Sequence, residues 1–440
     1  MLALASGKKL MIYMLLTGGI PLTLLMPGTK FFDVFGGINP QATYLFILIL
    51  AVWVAFLFKI QVLLKNSFKY AGFTTFLLFA AISLLWTTDL LLGLRMLAKL
   101  LAPFAFYAAM LAFLQTEKDL KLAERVIYIC CLVVLTLALV NTLSGGILSD
   151  STEETLLLSH NILKAPYMSP ANFAFLMSCA ALLALGNYIE TRKKGLLVLY
   201  VVFALAILWA ISRIAIAGFI LGTTICIFML VKSRLLKVII PLTLILAIFI
   251  SFFTIDSFRS RMFFSTSSIN FSTILTNPEK VRNSIDSSGR DYIWGEASKK
   301  FSGKNTLTGS GLGSVDAWLR ANFGPVQLHS DYLRIFYDLG YVGLALYILA
   351  LLLFFKSLFR AYRRTTNPYI KKYAAVAISV LALYSISLST DNSLNYVTEF
   401  SLYVFSFIAF TFVAERYIAR QVPIKTSSKR LYLRTPGHAI

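Results

Sequence analysis

Charge is scarce in this chain, and acidic charge scarcest. Asp and Glu number 20 against 41 Lys and Arg, and charged residues make up 14% of the sequence, where soluble proteins average about 25%. With 58% hydrophobic residues and a mean hydropathy of +0.76, that shortage excludes an ordinary water-soluble protein. Cysteine is nearly absent too. Cys130, Cys131, Cys179 and Cys226 all fall in apolar stretches, so they act as small hydrophobes, form no disulfide framework of the secreted kind and offer no zinc spacing. Gly309-x-Gly311-x-Gly313 is neither a dinucleotide fingerprint nor a Gly-Lys-Ser/Thr phosphate loop and reads as turn chemistry. There is no internal repeat, and no matched pair of broken helices of the kind transporters display. The first apolar run follows a basic start but lacks a small-residue cleavage site, so an uncleaved first helix is expected, with no soluble domain at either end.

What the chain has in abundance is apolar runs. A helix needs roughly 20 apolar residues to span about 30 Å of hydrocarbon, because its backbone polar groups must be satisfied within the segment. About twelve runs approach that length: 10–26, 42–58, 70–87, 90–114, 125–143, 169–188, 195–211, 213–231, 237–254, 332–355, 373–389 and 397–415. The expected fold is an all-α integral membrane protein of about 12 transmembrane helices. Residues 1–254 supply the first nine and residues 332–440 the last three with a basic tail. Residues 255–331 form one large loop between them, far longer than an ordinary connection.

The basic residues orient this bundle. Lys8 and Lys9, Lys59/Lys65/Lys69, Arg192/Lys193/Lys194, Lys232/Arg234/Lys237 and Arg360/Arg363/Arg364 fall on alternate connections, whereas the short connections between them carry only Lys30, Lys164 and Arg213. The positive-inside rule then places both termini in the cytoplasm and residues 255–331 outside. The net charge of +21 is accounted for by this topology, and no nucleic-acid partner is expected.

Within the long loop, Ser265 to Asn277 reads as irregular, while Tyr292 to Phe301 and Val315 to Phe323 space apolar residues as short amphipathic helices on the bundle mouth. A second outer connection, Ser144 to Ser169, carries Asp150, Glu153, Glu154 and His160. His329 stands where the long loop meets the tenth run. By spacing alone it is either a functional imidazole or an interfacial residue capping that helix. Arg213, on a very short connection that sets it at the outer mouth, suits a lipid diphosphate, with a snorkelling helix-end role as the alternative. Arg290 in a polar loop is by default a solvated charge. Arg95 and Lys99 share a face of the fourth run, roughly 9 and 15 Å from its outer end, where two like charges need an anionic ligand, a carboxylate such as Glu399 or a route to the surface.

Three patches carry a family resemblance: Ile211-Ser212-Arg213-Ile214-Ala215, Ser288-Gly289-Arg290-Asp291-Tyr292-Ile293-Trp294, and the stretch from Gly309 through Gln327-Leu328-His329-Ser330-Asp331-Tyr332-Leu333-Arg334 to Gly343. Together they resemble the O-antigen ligase and polymerase superfamily of bacterial membrane glycosyltransferases. The resemblance implies a GT-C-like fold in the inner membrane, with both termini cytoplasmic and a periplasmic site. It also implies an undecaprenyl-diphosphate glycan donor, inversion at the anomeric carbon, and no metal or other cofactor. His329 would be the catalytic residue, with Arg213 and Arg290 on the donor diphosphate and Arg95 and Lys99 as further cations for it. The acceptor would be a second glycan or lipid A core, with membrane lipids and a chain-length regulator as further partners. Many ligases have Asn after the histidine; Ser330 leans the reading toward a repeat-unit polymerase, with a ligase as the alternative and a lipid-linked oligosaccharide flippase as a more distant one.

Overall fold

The computed structural model describes residues 71–145, 163, 165, 168–254, 289–301, 303, 305–324 and 326–421. The apolar runs at 10–26 and 42–58, both termini, most of the connection bearing His160, and Ser265 to Asn277, expected to be irregular, lie outside the described residues. The regular elements among the described residues are all helices, with no strand among them.

Each apolar run from residue 70 onward folds as a helix close to its expected bounds: α1 Ala71–Ile82, continued by a 3₁₀ turn Ser83–Trp86, α2 Leu90–Phe113, α3 Glu117–Leu143, α4 Pro170–Thr191, α5 Lys194–Trp209, α6 Arg213–Leu230 and α7 Arg234–Thr254. The two short helices of the long loop follow as α8 Arg290–Phe301 and α9 Ser314–Phe323. Then come α10 Asp331–Arg364, α11 Pro368–Thr390 and, after a π turn Val397–Ser401, α12 Leu402–Gln421. Seven of the described helices are long and apolar enough to cross a membrane, and Ala71–Trp86 and Lys194–Trp209 are shorter apolar helices. The expected count of about 12 spans includes two runs outside the described residues.

Starts and stops follow local chemistry. Asp89 accepts the Leu92 amide at 2.9 Å to open α2, Thr116 and Asp119 form a capping box at α3, and Asn367 caps α11 ahead of Pro368. In a bilayer, lipid is as apolar as the helix faces, so close approach and interhelical hydrogen bonds drive assembly. Gly218 and Gly222, four apart on α6, supply that approach. Added side chains there would meet Leu383 and the Ser379 carbonyl of α11. Because 218 pairs with 383 and 222 with 379, α6 and α11 run antiparallel. Phe175 of α4 stacks on Phe400 with centroids 4.6 Å apart, and Tyr347 and Tyr384 join α10 to α11 through their hydroxyls at 3.1 Å.

The helix termini sort into two ends. At one, Lys372 near the start of α11 meets Glu124 near the start of α3 and Glu190 at the close of α4, and Arg416 of α12 donates to the Leu111 and Leu114 carbonyls closing α2. At the other lie the start of α2, the breaks around α10 and the end of α11. About 27 Å separates Lys372 from Thr390 along α11.

At this second end α10 is broken. Gly340 leaves the helix with φ 67° and ψ −168°, and strand-like hydrogen bonds bind the break to the Gly-rich loop: Ser310 and Gly311 amides donate to the Tyr337 and Asp338 carbonyls, and Tyr341 and Val342 amides to those of Thr306 and Leu307. A side chain on Gly309 (φ 72°) would strike the Asp338 carbonyl, so close backbone approach explains the glycine there. The Asp338 carboxylate accepts the Gly313 and Val315 amides, both at 2.9 Å, holding the start of α9 by its unpaired amides.

Candidate functional site

The centre of the second end is the segment Thr390-Asp391-Asn392-Ser393-Leu394-Asn395-Tyr396, between α11 and the π turn. Every residue from Asp391 to Ser393 is buried. Burial obliges each polar group to find a partner, and the partners come from three other parts of the chain.

His329 is held first. Its amide donates to Asn392 Oδ1 at 3.0 Å, and the same oxygen accepts from Nη2 of Arg334 at 3.1 Å. The Asn392 amide nitrogen lies 2.9 Å from His329 Nδ1. His329 takes a left-handed backbone (φ 56°), an uncommon state for a residue with a side chain. Its side chain keeps 36% of its surface exposed while Asp391, 4.0 Å from Nδ1, keeps 4%. The capping role that sequence left open for His329 belongs to its neighbour, since the Ser330 hydroxyl accepts the Leu333 amide at 3.4 Å.

Arg334 is buried beneath the histidine. Its guanidinium lies 3.4 Å from Asp331 and 3.6 Å from Asp316, as ion pairs in which Nε and Nη1 make no hydrogen bond. Asp331 turns its other oxygen to the Leu394 amide at 2.8 Å. The buried charges thus tie α10, α9 and the 390–396 segment into one body. Asp391 Oδ1 accepts the Asn392 amide at 2.8 Å and the Tyr396 hydroxyl at 2.9 Å. Burial first, then the neighbouring Asp391 charge, raises the Tyr396 phenol above its ordinary range, which keeps it a donor to that carboxylate.

Arg290 and Trp294 brace this body from outside. Arg290 Nη1 donates to the Thr390 carbonyl at 2.7 Å, one of the unpaired carbonyls at the end of α11, where a cation also meets the negative end of the helix dipole. One turn later, Trp294 Nε1 donates to the Leu328 carbonyl at 2.6 Å, directly before His329. Arg290 and Trp294, one turn apart on α8, thus each bind one of the two segments that hold the histidine. Arg290 Nε is buried without a hydrogen bond.

Lys99 comes to the same segment from α2. Its ammonium donates to Asn395 Oδ1 at 2.7 Å, and Asn395 reaches Gln327 Oε1 at 3.4 Å. The charges that bear on it are those of Arg334, Asp316, Asp331 and Arg320. A neutral amide, rather than the carboxylate of Glu399 considered from sequence, is thus its hydrogen-bond partner. Arg95, one turn nearer the start of α2, is exposed, so it does not share the half-buried setting of Lys99 as a common face suggested. Arg213 opens α6 and is half-buried. The antiparallel register with α11 sets it roughly level with Leu388, at the same end of the bundle as His329.

Three of the five sequence candidates, His329, Arg290 and Lys99, therefore converge on residues 390–395 through direct hydrogen bonds. Arg213 shares their end of the bundle and Arg95 stands apart. Asp391, Asn392 and Asn395 were not foreseen. The only signal for them is a polar run, Thr390 to Asn395, interrupting two apolar stretches. Among the described residues, no group of three or more His, Cys, Asp or Glu side chains is placed to hold a metal ion. The arrangement offers a half-exposed imidazole held at backbone and side chain, beside Lys99 and Arg290, whose hydrogen-bond partners are neutral oxygens, which suits an anionic substrate whose reacting atom lies near the ring.

Residues 198–348 match the family model described as O-antigen ligase. That stretch runs from α5 into α10 and includes Arg213, Arg290 and His329, but neither Arg95 and Lys99 nor the 390–396 segment. No curated protein matches the chain.

Proposed function

We propose, on the premise that this chain belongs to the O-antigen ligase and polymerase superfamily through residues 198–348, that it transfers a glycan from undecaprenyl diphosphate to a sugar hydroxyl at the outer face of the bacterial inner membrane. The observation that carries the proposal is the seat of His329: a half-exposed ring held at both backbone and side chain by Asn392, with Arg290 and Lys99 bound to the same short segment. Such a seat makes a ring that can meet a substrate without rearranging.

The donor's anionic diphosphate needs cations in a site poor in water. Lys99, Arg290 and Arg213 lie at the right end of the bundle to supply them, with Arg95 toward the rim. They stabilise the diphosphate most as it departs and gains charge, which is where a cation lowers a barrier. In the transfer, the acceptor oxygen bonds to the anomeric carbon, the carbon–oxygen bond to phosphate breaks, its electron pair leaves on the diphosphate, and the hydroxyl proton passes to solvent water. Inversion follows from a single displacement without divalent metal, the cations taking the role a metal has elsewhere.

Between acceptors, we favour a growing glycan over lipid A core because Ser330 stands where many ligases carry Asn. Ser330 caps α10, so its identity also bears on how the helix starts beside the site. Purified protein supplied with undecaprenyl-diphosphate repeat units in excess chelator tests the reading. Lengthened lipid-linked glycan is expected; transfer only when lipid A core is added would reverse the choice of acceptor, and no transfer to either would overturn the enzyme.

A further inference from the structure

The hydrogen bonds around Asn392 carry a consequence for how His329 takes part in transfer. Asn392 Oδ1 faces two groups that can only donate, the His329 amide at 3.0 Å and the Arg334 guanidinium at 3.1 Å. This fixes which end of the amide is which. The atom turned to the imidazole, 2.9 Å from Nδ1, is therefore the NH₂ nitrogen, and an NH₂ group has protons to give and no lone pair to offer. Nδ1 must accept. A neutral imidazole that accepts at Nδ1 carries its proton at Nε2.

The rest of the surroundings give Nδ1 no competing acceptor. Asp391 is 4.0 Å away, and its nearest oxygen already takes the Asn392 amide and the Tyr396 hydroxyl. Arg334 and Arg290 reach this segment as donors, Lys99 is bound to Asn395, and Asp331 is engaged by the Leu394 amide and Arg334. None of these would hold a proton on Nδ1.

We propose that Asn392 is a positioning residue that fixes the Nε2–H tautomer of His329, so that the ring serves the reaction as a hydrogen-bond donor to a substrate oxygen and not as the base that removes the acceptor's proton. A base would need its lone pair at Nε2 and hence a proton at Nδ1, pointing into the NH₂ group of Asn392. The donated hydrogen bond strengthens as negative charge builds on the diphosphate. The acceptor's proton passes to a solvent water at the open side of the ring.

This inference rests on the transferase reading for its chemistry but not for its first test. The chain has three histidines, His160, His329 and His438, so nitrogen NMR of full-length protein labelled only at histidine resolves the tautomer of each. The His329 signal is identified by its loss in His329→Gln. Protonation of His329 at Nε2 is expected, and a proton at Nδ1 overturns the proposal whether or not the protein transfers glycan. Asn392→Asp then supplies the second test. The new carboxylate keeps an acceptor for the His329 amide and Arg334 and replaces the donor with an acceptor, so the imidazole proton should move to Nδ1. Transfer should fall roughly ten- to a hundredfold, the loss expected for one hydrogen bond to a charged group. If His329 were the base, the same substitution would put the lone pair on Nε2 and keep or raise transfer. If wild-type protein shows the Nε2–H tautomer yet transfers no glycan, the transferase reading fails while the assignment of the tautomer stands.

Discussion

The two ends of the bundle hold their lysines in opposite ways. At one, Lys372 is enclosed, 4% exposed, with Glu190 at 2.9 Å and Glu124 at 3.2 Å and the rings of Tyr369 and Tyr373 at 4.6 and 4.1 Å. At the other, Arg334 lies against Asp331 and Asp316, but Lys99 is bound to a neutral amide, Arg290 to a backbone carbonyl, and Arg95 is exposed. A cation answered by carboxylates has its field cancelled within the protein and serves as a fastener for three helices. A cation whose hydrogen-bond partner is a neutral oxygen is held in place without a carboxylate bound to it, and so can still pair with an anion that arrives later. Burial alone would rank Lys372 above Lys99 as a site residue; the charge of the partners reverses that order.

Breaking the closed end should produce the largest effect, and on stability alone. Lys372→Met leaves Glu124 and Glu190 facing each other without their cation, and loss of one partner of a buried charge pair costs about 3 to 5 kcal/mol. Thermal unfolding in detergent should show it, while transfer per folded molecule stays near normal. A fall in specific activity without loss of stability would merge the two ends into one functional network.

At the open end the reverse pattern is expected. His329→Ala should cut transfer about a hundred- to a thousandfold, as removal of one transition-state donor does, with donor binding and melting temperature little changed. Turnover and donor binding measured separately on the same preparation check it, and equal losses in both would make the ring a binding group only. Arg290→Ala comes next, with a loss of roughly ten- to a hundredfold and the protein still inserted in the membrane. Arg290→Lys should restore only part, because a single ammonium reaching the Thr390 carbonyl has no second arm for a diphosphate. Full rescue by Lys would reduce Arg290 to a cap on α11.

The smallest effect should distinguish the two cations of α2. Lys99→Met is expected to weaken donor binding by about tenfold and Arg95→Met by less, in keeping with the half-buried Lys99 and the greater strength of a charge shielded from water. Raising salt should narrow the difference for Arg95 first. Equal sensitivity of both to salt would place them in the same wet environment and remove Lys99 from the site.

Much of the helical layout was legible before any coordinates. Apolar runs from residue 70 onward, and even the amphipathic spacing in Tyr292 to Phe301 and Val315 to Phe323, became helices, most of them within a few residues of their expected bounds, though α3 starts eight residues before its run and α10 ends nine residues after its own, because hydrophobic length and 3.6-residue periodicity are local properties. The long loop's arginine and tryptophan were recognisable only by resemblance. Their spacing acquires a physical meaning once Arg290 is seen to bond Thr390 and Trp294 to bond Leu328, two segments far apart in the chain joined by one turn of α8.

The sequence by itself determined that this is a membrane-embedded helical chain, which connections carry its basic residues, and that His329 stands at a boundary between polar and apolar chain, since each of these depends on composition and short-range order. Only the tertiary structure decided which cations are neutralised and which are not, and which atom faces the imidazole. Lys372 finds Glu124 across 248 positions of sequence, and Asn392 finds His329 across 63. Partnerships of that kind follow from how helices pack, and a short polar run such as Thr390 to Asn395 has no periodicity to announce that three separate segments will close upon it.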